Sequence, residues 1–295
     1  MSTASTSGRE PSISFEFFPP AEPAMAASFW SAVHRLGSTE PRFVSVTYGA
    51  AGSTQDRTKQ CVAEILARTN LRATPHVTCV GSTRAQLRQL VESYWRLGVR
   101  HIVALRGDGL NGERFSAYPE GFSSAAELVE MIRDVAPFEV SVAAYPQTHP
   151  EATSLESDIA HLKRKLDAGA CRALTQFFFD PDVFLRFRDV CAAGGISQPL
   201  VPGILPIVNF AQTARFARRC GATIPTWIAK RFDGLEHDPQ THQLVAASVA
   251  ISLVDRLQRE GVDAFHLYTL NRAELAAAVC HALGVGGAAL RSAAG

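Results

Sequence analysis

A single carboxylic acid lies inside one of the most apolar runs of this sequence. Glu16 stands in residues 13–20 (Ile-Ser-Phe-Glu-Phe-Phe-Pro-Pro), among β-forming residues and before two prolines that end the segment. Loss of water around a carboxyl group disfavours its charged form, and an acid that stays protonated near neutral pH can donate a proton in catalysis. The alternative is a structural glutamate at a strand end that reaches solvent or an arginine.

Short β-rich runs alternate with segments of helical period about eight times along the chain. This alternation indicates repeated βα units and a parallel sheet. The predicted strands are 13–18, 42–48, 74–80, 101–106, 139–145, 172–179, 200–205 and 264–270. The predicted helices include 24–36, 56–68, 84–97, 154–167, 181–193, 241–259 and 272–283, and the glycines expected just past helix ends are Gly37, Gly98, Gly169 and Gly261.

Eight such units predict a closed (β/α)8 TIM barrel in a single α/β domain. An open doubly wound sheet is the competing arrangement, but the Gly-x-Gly-x-x-Gly turn expected after its first strand is missing. The predicted organisation is a flexible N-terminal segment at 1–11, a catalytic barrel at 12–285 and a flexible tail at 286–295.

Strand periodicity then divides the side chains of each predicted strand between two faces. Ser14 and Glu16 share one face, whereas Phe15 and Phe17 share the other. The same division sets Ser45 and Thr47 against Val44 and Val46, His76 and Thr78 against Val77 and Cys79, and Ala104 and Arg106 against Val103 and Leu105. We expect the small and polar face to point into the barrel.

Polar residues also follow the predicted strands, at the end where barrel enzymes build their active sites. Those at or just beyond strand ends are Glu16, Thr47, Arg106, Asp108, Tyr145 and Gln176. Their convergence at one rim favours a functional over a purely structural glutamate at position 16.

Composition limits the partners of the protein. Of its 295 residues 46% are hydrophobic, and 29 Lys and Arg nearly balance 28 Asp and Glu, so no overall positive field favours nucleic acid or an anionic membrane. The six cysteines are scattered without a Cys-x-x-Cys pair, and His76 with Cys79 supplies too few ligands for zinc, so no metal is predicted. With no apolar leader or membrane-spanning run, a cytoplasmic location with reduced thiols is expected.

Eight motifs in the chain resemble bacterial 5,10-methylenetetrahydrofolate reductase, in the order and spacing of that family. They are FEFFPP at 15–20, FVSVTYG at 43–49, ALRGD at 104–108, AAYP at 143–146 with HPEA at 149–152, LKRK at 162–165, TQFFFD at 175–180, PGILP at 202–206 and YTLNRAE at 268–274. The likeness covers nearly the whole chain and is to the short catalytic form, without a regulatory domain.

The resemblance implies a flavoprotein on a (β/α)8 barrel with non-covalent FAD. NADH or NADPH would supply a hydride to the flavin, which passes it to 5,10-methylenetetrahydrofolate and gives 5-methyltetrahydrofolate, the two half-reactions alternating at one site. Glu16 would be the general acid that assists opening of the folate ring, and Asp108 would place a negative charge near the flavin and the pterin. A homo-oligomer is also implied. The alternative for Asp108 is a turn residue before Gly109.

By the same resemblance, thirteen residues would line the FAD site. They are Thr47, Tyr48, Ala50, His76, Arg106, Gly107, Asp108, Tyr145, His149, Ala152, Asp158, Arg164 and Lys165. Without the resemblance, the basic run at 163–165 reads as a solvated helix face. The stretch 109–123 departs from the bacterial pattern, and no contact is carried onto it.

For the folate and the nucleotide, the resemblance points to Glu16, Gln176, Gln212, Phe216 and Arg272. Gln176 is an amide in a Phe-rich run, and a buried amide needs a hydrogen-bond partner such as a pterin. Phe216 resembles a movable aromatic that stacks on either substrate, although an ordinary core phenylalanine fits its spacing as well. Arg272 is expected to open the last helix.

Three other functions were weighed against this one. A proline dehydrogenase-like barrel flavoenzyme shares a related fold but does not suit the Glu16 and Arg272 motifs. A Schiff-base lyase would need a lysine at a strand end, and the sequence places none there. A catalytically inactive barrel subunit is disfavoured by the intact Glu16, Asp108 and Gln176.

Overall fold

The computed structural model describes residues 10–48, 55–109 and 114–286, and within them nine parallel strands form one sheet. The strands are β1 (Ser12–Phe17), β2 (Phe43–Val46), β3 (Ala73–Thr78), β4 (His101–Leu105), β5 (Glu139–Ala144), β6 (Arg172–Thr175), β7 (Leu200–Val201), β8 (Gly203–Ile204) and β9 (Ala264–Tyr268). Most of the predicted strands end later than these, because the residues after each strand belong to the rim loops.

The sheet closes on itself through β7 and β8, which are two halves of one strand. The strand order runs β7-β6-β5-β4-β3-β2-β1-β9-β8, so its two ends are separated in the chain by Pro202 alone. Proline has no N–H to donate to a ladder, which divides the strand there. The next residue is close to its neighbours: a Cβ on Gly203 would lie 2.1 Å from the Thr175 carbonyl oxygen. The predicted (β/α)8 barrel is confirmed.

Ten helices surround the barrel in the described part of the chain. They are α1 (Pro23–Gly37), α2 (Gln55–Arg68), α3 (Arg84–Leu97), α4 (Ala125–Val135), α5 (Leu155–Asp167), α6 (Pro181–Ala193), α7 (Phe210–Arg219), α8 (Thr226–Phe232), α9 (Pro239–Arg259) and α10 (Glu274–Ala282). Gly98 caps α3 in the left-handed conformation, as expected. Gly37 instead is the last residue of α1, and α10 begins two residues after the predicted Arg272.

The two faces of the strands have different partners. Phe15 and Phe17 are fully buried in the main core between barrel and helices, whereas Ser14 on the opposite face bonds at 2.8 Å to His266, its partner on the neighbouring strand β9. On β4 the expected division is wrong. Val103 packs inside the barrel, and Ala104 joins the outer core. The parallel register pairs Val103 with the inward-facing His76, which fixes this orientation.

A polar network occupies the barrel interior beside these apolar side chains. His101 contacts Thr74 Oγ1 at 3.2 Å and Ser141 Oγ at 2.7 Å, and Arg172 reaches both His101 at 3.3 Å and Glu139 at 3.0 Å. Burial, followed by the positive charge of Arg172, holds the pKa of His101 well below its ordinary value. The interior is therefore filled by polar and apolar side chains together.

Both chain ends lie largely outside the described residues. Of the predicted flexible segments, 1–9 and 287–295 fall there, while β1 begins at Ser12 and α10 ends at Ala282. Among the described residues, every helix is too short or too polar to span a lipid bilayer.

Candidate functional site

Glu16 lies near the carboxyl end of β1, and its side chain points into the barrel. Its carboxylate Oε2 is 3.5 Å from His76 Nε2 and 3.6 Å from His266 Nε2, and the side chain is 12% exposed. The two imidazole nitrogens are buried and have no hydrogen-bond partner within the described residues. The carboxyl group thus sits between two polar atoms that are available to it or to a ligand.

The surroundings of Glu16 differ from those expected from its sequence neighbours. The rings of Phe15 and Phe17 belong to the outer core, so imidazoles from β3 and β9 surround the carboxyl group instead of phenyl rings. Burial lowers the pKa of His76, against the opposing effect of Glu16. His76 is therefore a neutral neighbour at physiological pH.

A cleft of about 320 Å³ opens at the same rim, between the ends of β4 and β5 and the starts of α4 and α5. Nine of the residues predicted for the cofactor line it: Arg106, Gly107, Asp108, Tyr145, His149, Ala152, Asp158, Arg164 and Lys165. Gly107 has a φ of 84°, and a Cβ there would come within 2.5 Å of a Val80 methyl carbon. Only glycine fits this turn without displacing its neighbour.

The cleft carries three cationic side chains. The Lys165 amine donates a hydrogen bond to the Ala143 carbonyl at 2.6 Å, and burial lowers its pKa to about 8. Arg106 pairs with Glu151 at 2.7 Å. Arg164 projects from the same helix as Lys165 and is exposed. Hence the basic run at 163–165 is not simply a solvated helix face.

Short hydrogen bonds fix the loop on the other side of the cleft. Asp158 accepts a bond from the His149 backbone N–H at 2.8 Å, and the rings of Tyr145 and His149 meet edge-to-face with centroids 4.5 Å apart. Burial, and then the charge of Asp108, raises the pKa of Tyr145. Tyr145 is consequently a neutral hydrogen-bonding group beside the exposed Asp108 carboxylate.

The other predicted cofactor residues lie elsewhere. Thr47 follows the last residue of β2, and its backbone N–H donates to the Phe17 carbonyl at 3.0 Å; His76 lies beside Glu16. Tyr48 packs in the outer core, where burial raises its pKa to about 12. Ala50 lies outside the described residues.

The other predicted substrate residues lie after β6, on α7 and before α10. Gln176 is half-buried, and its Oε1 accepts a bond from the Phe177 N–H at 3.1 Å. Gln212 is exposed in the first turn of α7. Arg272 is exposed in the loop before α10, on the wall of a second cavity of about 920 Å³.

Phe216 is not a core residue. Its side chain is 42% exposed, and its ring contacts the buried ring of Phe177 at a centroid distance of 5.2 Å. An exposed phenyl group at the rim of a barrel is free to stack on an aromatic ligand.

Several residues of the site were missed from the sequence. His266 contacts Glu16, and His161, Glu151 and Ser124 line the cleft. The signal for His266 was present, because alternation along β9 places it on the same face as Tyr268, which pairs with Glu16. Ser124 caps α4, a helix that the sequence analysis did not name.

Comparison with known proteins identifies the family. A sequence model described as methylenetetrahydrofolate reductase matches residues 2–284. The chain belongs to the methylenetetrahydrofolate reductase family. The resemblance seen in the motifs is thereby confirmed, as is the prediction that the protein is an enzyme.

Relatives in this family include bacterial and plant proteins. The 5,10-methylenetetrahydrofolate reductases of Pectobacterium carotovorum and Escherichia coli K12 are each 51% identical to this chain, over 92% of it and 90% of theirs. Methylenetetrahydrofolate reductase (NADH) 1 of Arabidopsis thaliana is 33% identical, over 88% of this chain and 46% of the plant protein. The match to the methylenetetrahydrofolate reductase family thus extends over nearly the full length of the bacterial relatives.

A solved structure shares the fold at low identity. A Clostridium thermocellum protein, described as binding two copies of 5-methyl-5,6,7,8-tetrahydrofolic acid, matches with a TM-score of 0.60 and 12% identity, over 94% of this chain and 96% of that one. At this identity the likeness concerns the barrel alone.

Proposed function

We propose that this chain reduces 5,10-methylenetetrahydrofolate to 5-methyltetrahydrofolate, using non-covalent FAD and NADH or NADPH as hydride donor. One observation carries the proposal: nine residues that the family resemblance assigns to the cofactor line a single cleft, on the same barrel rim as Glu16. Family membership supports the reaction, since the bacterial relatives carry its name.

The chemistry of the cleft suits the diphosphate part of FAD. Arg106, Arg164 and Lys165 supply cationic donors from two elements, and charge-assisted hydrogen bonds to phosphate are the strong ones. Asp158 and His149 close the other side. FAD, when bound, carries the hydride between the nucleotide and the folate; the protein binds, orients and supplies protons.

Glu16 is the proposed proton donor to the folate. When the five-membered ring opens, the bond between the methylene carbon and one ring nitrogen breaks, and that nitrogen takes the proton from Glu16. The methylene carbon is left in a cationic iminium, which one hydride converts to a methyl group. Charge and atoms balance with one NAD(P)H and one proton per turnover.

Asp108 has the proposed electrostatic role. Its carboxylate lies at the cleft, where it raises the pKa of Tyr145, so its field reaches neighbouring groups. A fixed negative charge stabilises a developing cation and opposes addition of electrons to a nearby flavin.

Gln176 and Arg272 would bind the polar parts of the substrates, and Phe216 would stack on their rings. The homo-oligomer stays a prediction.

Glu16→Gln tests the proposal in separate half-reactions. In stopped flow, reduction of bound flavin by NADH or NADPH is expected to keep its rate, whereas reoxidation by methylenetetrahydrofolate falls by roughly 10²- to 10⁴-fold, the usual contribution of a general acid. Glu22→Gln, an exposed glutamate just before α1, is the matched control. Equal losses in both half-reactions would assign Glu16 to structure, and purified protein that takes up no FAD would end the redox proposal.

A further inference from the structure

The side chain of Asn271 holds the backbone just after Glu16. Its Oδ1 accepts a hydrogen bond from the Phe18 N–H at 2.9 Å, and its Nδ2 donates to the Phe18 carbonyl at 2.9 Å. The residue is 9% exposed, with a φ of 57°. A side-chain amide thus replaces a strand partner for Phe18, using both of its polar atoms.

Thr269 extends the same contact to Glu16 itself. Its hydroxyl donates to the Glu16 carbonyl at 2.7 Å and accepts from the Asn271 N–H at 3.1 Å. The Thr269 N–H also donates to that carbonyl, at 3.2 Å. Residues 269–271 therefore form a clamp on β1, defined by the bonds of Thr269 and Asn271 to Glu16 and Phe18.

The position of this clamp matters because the ladder between β1 and β9 ends there. The last residue of β1 paired with β9 is Glu16, opposite Tyr268. Pro19 and Pro20 follow Phe18 and have no N–H to continue a ladder. The ladder to β2 continues through Phe17, so the clamp holds the side of this backbone that faces β9. That backbone carries the Glu16 carboxyl group between His76 and His266.

We propose that Asn271 is a positioning residue for proton transfer by Glu16, an inference that rests on the proposed role of Glu16. Loss of its amide frees the end of β1, and the carboxyl group leaves the place where it meets the folate nitrogen. Misplacement of a catalytic group by about 1 Å costs roughly 10²-fold in rate. The nucleotide half-reaction needs no proton from Glu16 and is unaffected.

Two substitutions remove the side-chain amide of Asn271 while allowing the backbone to keep its conformation. Glycine and aspartate both tolerate positive φ. Asn271→Gly removes both bonds to Phe18, and Asn271→Asp places an oxygen against the Phe18 carbonyl. In the FAD-loaded enzyme, each variant is expected to lower the rate of flavin reoxidation by methylenetetrahydrofolate at least about tenfold. Flavin reduction by NADH should stay within about twofold of wild type.

The double variant Glu16→Gln/Asn271→Gly decides whether Asn271 acts through Glu16. Non-additive losses, with the double variant no slower than Glu16→Gln alone, support the inference. Additive losses overturn it, as does a wild-type rate of flavin reoxidation in both Asn271→Gly and Asn271→Asp. If Glu16→Gln itself keeps the wild-type rate of folate reduction, the proposed role of Glu16 fails and this inference with it, whereas the proposed reaction stands. Should the Asn271 variants not fold, Thr269→Val removes the hydroxyl bond to Glu16, and the same comparison applies.

Discussion

Replacement of Lys165 by methionine should strengthen the fold of the flavin-free protein and weaken FAD binding. The Lys165 amine is half-buried and bonded to a backbone carbonyl. Burial lowers its pKa, and the negative charge of Asp158 opposes that change. A buried cation without a full ion pair destabilises the native state until an anion arrives. Methionine keeps the length of the side chain and removes the charge.

The magnitude follows from the pKa of Lys165, lowered from 10.5 to about 8 by burial. That difference corresponds to about 3 kcal/mol of native-state stability lost at pH 7. The cost is fully present below about pH 8 and disappears as the pH rises toward 10.5, because the unfolded chain then holds a proton that the native chain has released. The lost phosphate contact is worth about 1.5–3 kcal/mol, or roughly 10- to 150-fold in Kd.

Two measurements check this prediction. Urea unfolding of the flavin-free protein at pH 7 should show Lys165→Met to be more stable than wild type. Fluorescence titration with FAD should show weaker binding by the variant, and wild-type affinity should fall between pH 7 and pH 9.5. Lys163→Met is the control, since Lys163 lies on the same helix and pairs with exposed Asp167 at 3.0 Å. Unchanged FAD affinity in Lys165→Met, or a wild-type affinity independent of pH, would refute the reasoning.

Two further predictions concern the rim. Asp108→Asn should raise the midpoint potential of the bound flavin, because a negative charge that opposes reduction is removed; spectroelectrochemistry would expose an unchanged potential and so contradict the electrostatic role. Phe216→Ala should raise the KM for folate and nucleotide several-fold while leaving the melting temperature nearly unchanged, since the ring is 42% exposed. A large drop in melting temperature with normal KM values would instead show that Phe216 supports the fold.

The barrel could be predicted because each βα unit has a local signature. The inward face of β4 could not, because this barrel holds apolar side chains such as Val103 and Phe43 inside as well as polar ones. Polarity therefore does not tell the two faces of that strand apart, and only the register with β3 does.

Within the candidate site, contacts between distant parts of the chain could likewise not be predicted from the sequence. Glu16 was found from its sequence, but its real neighbours, His76 and His266, come from β3 and β9 and meet it only when the sheet closes. The exposure of Phe216 depends on how α7 rests on Phe177, a contact that helical spacing does not encode. The order of the motifs identified the predicted cofactor residues. The clamp by Asn271 could not be predicted, because it depends on how the residues after β9 meet the end of β1 in the folded barrel.

Along β1 the Glu16 carboxyl group and the packing phenyl groups alternate residue by residue. A slip of one position during folding would bury the carboxyl group between the barrel and the helices and place a phenyl ring inside the barrel. Folate reduction therefore requires the correct alignment of β1, and a molecule with a shifted β1 would be inactive.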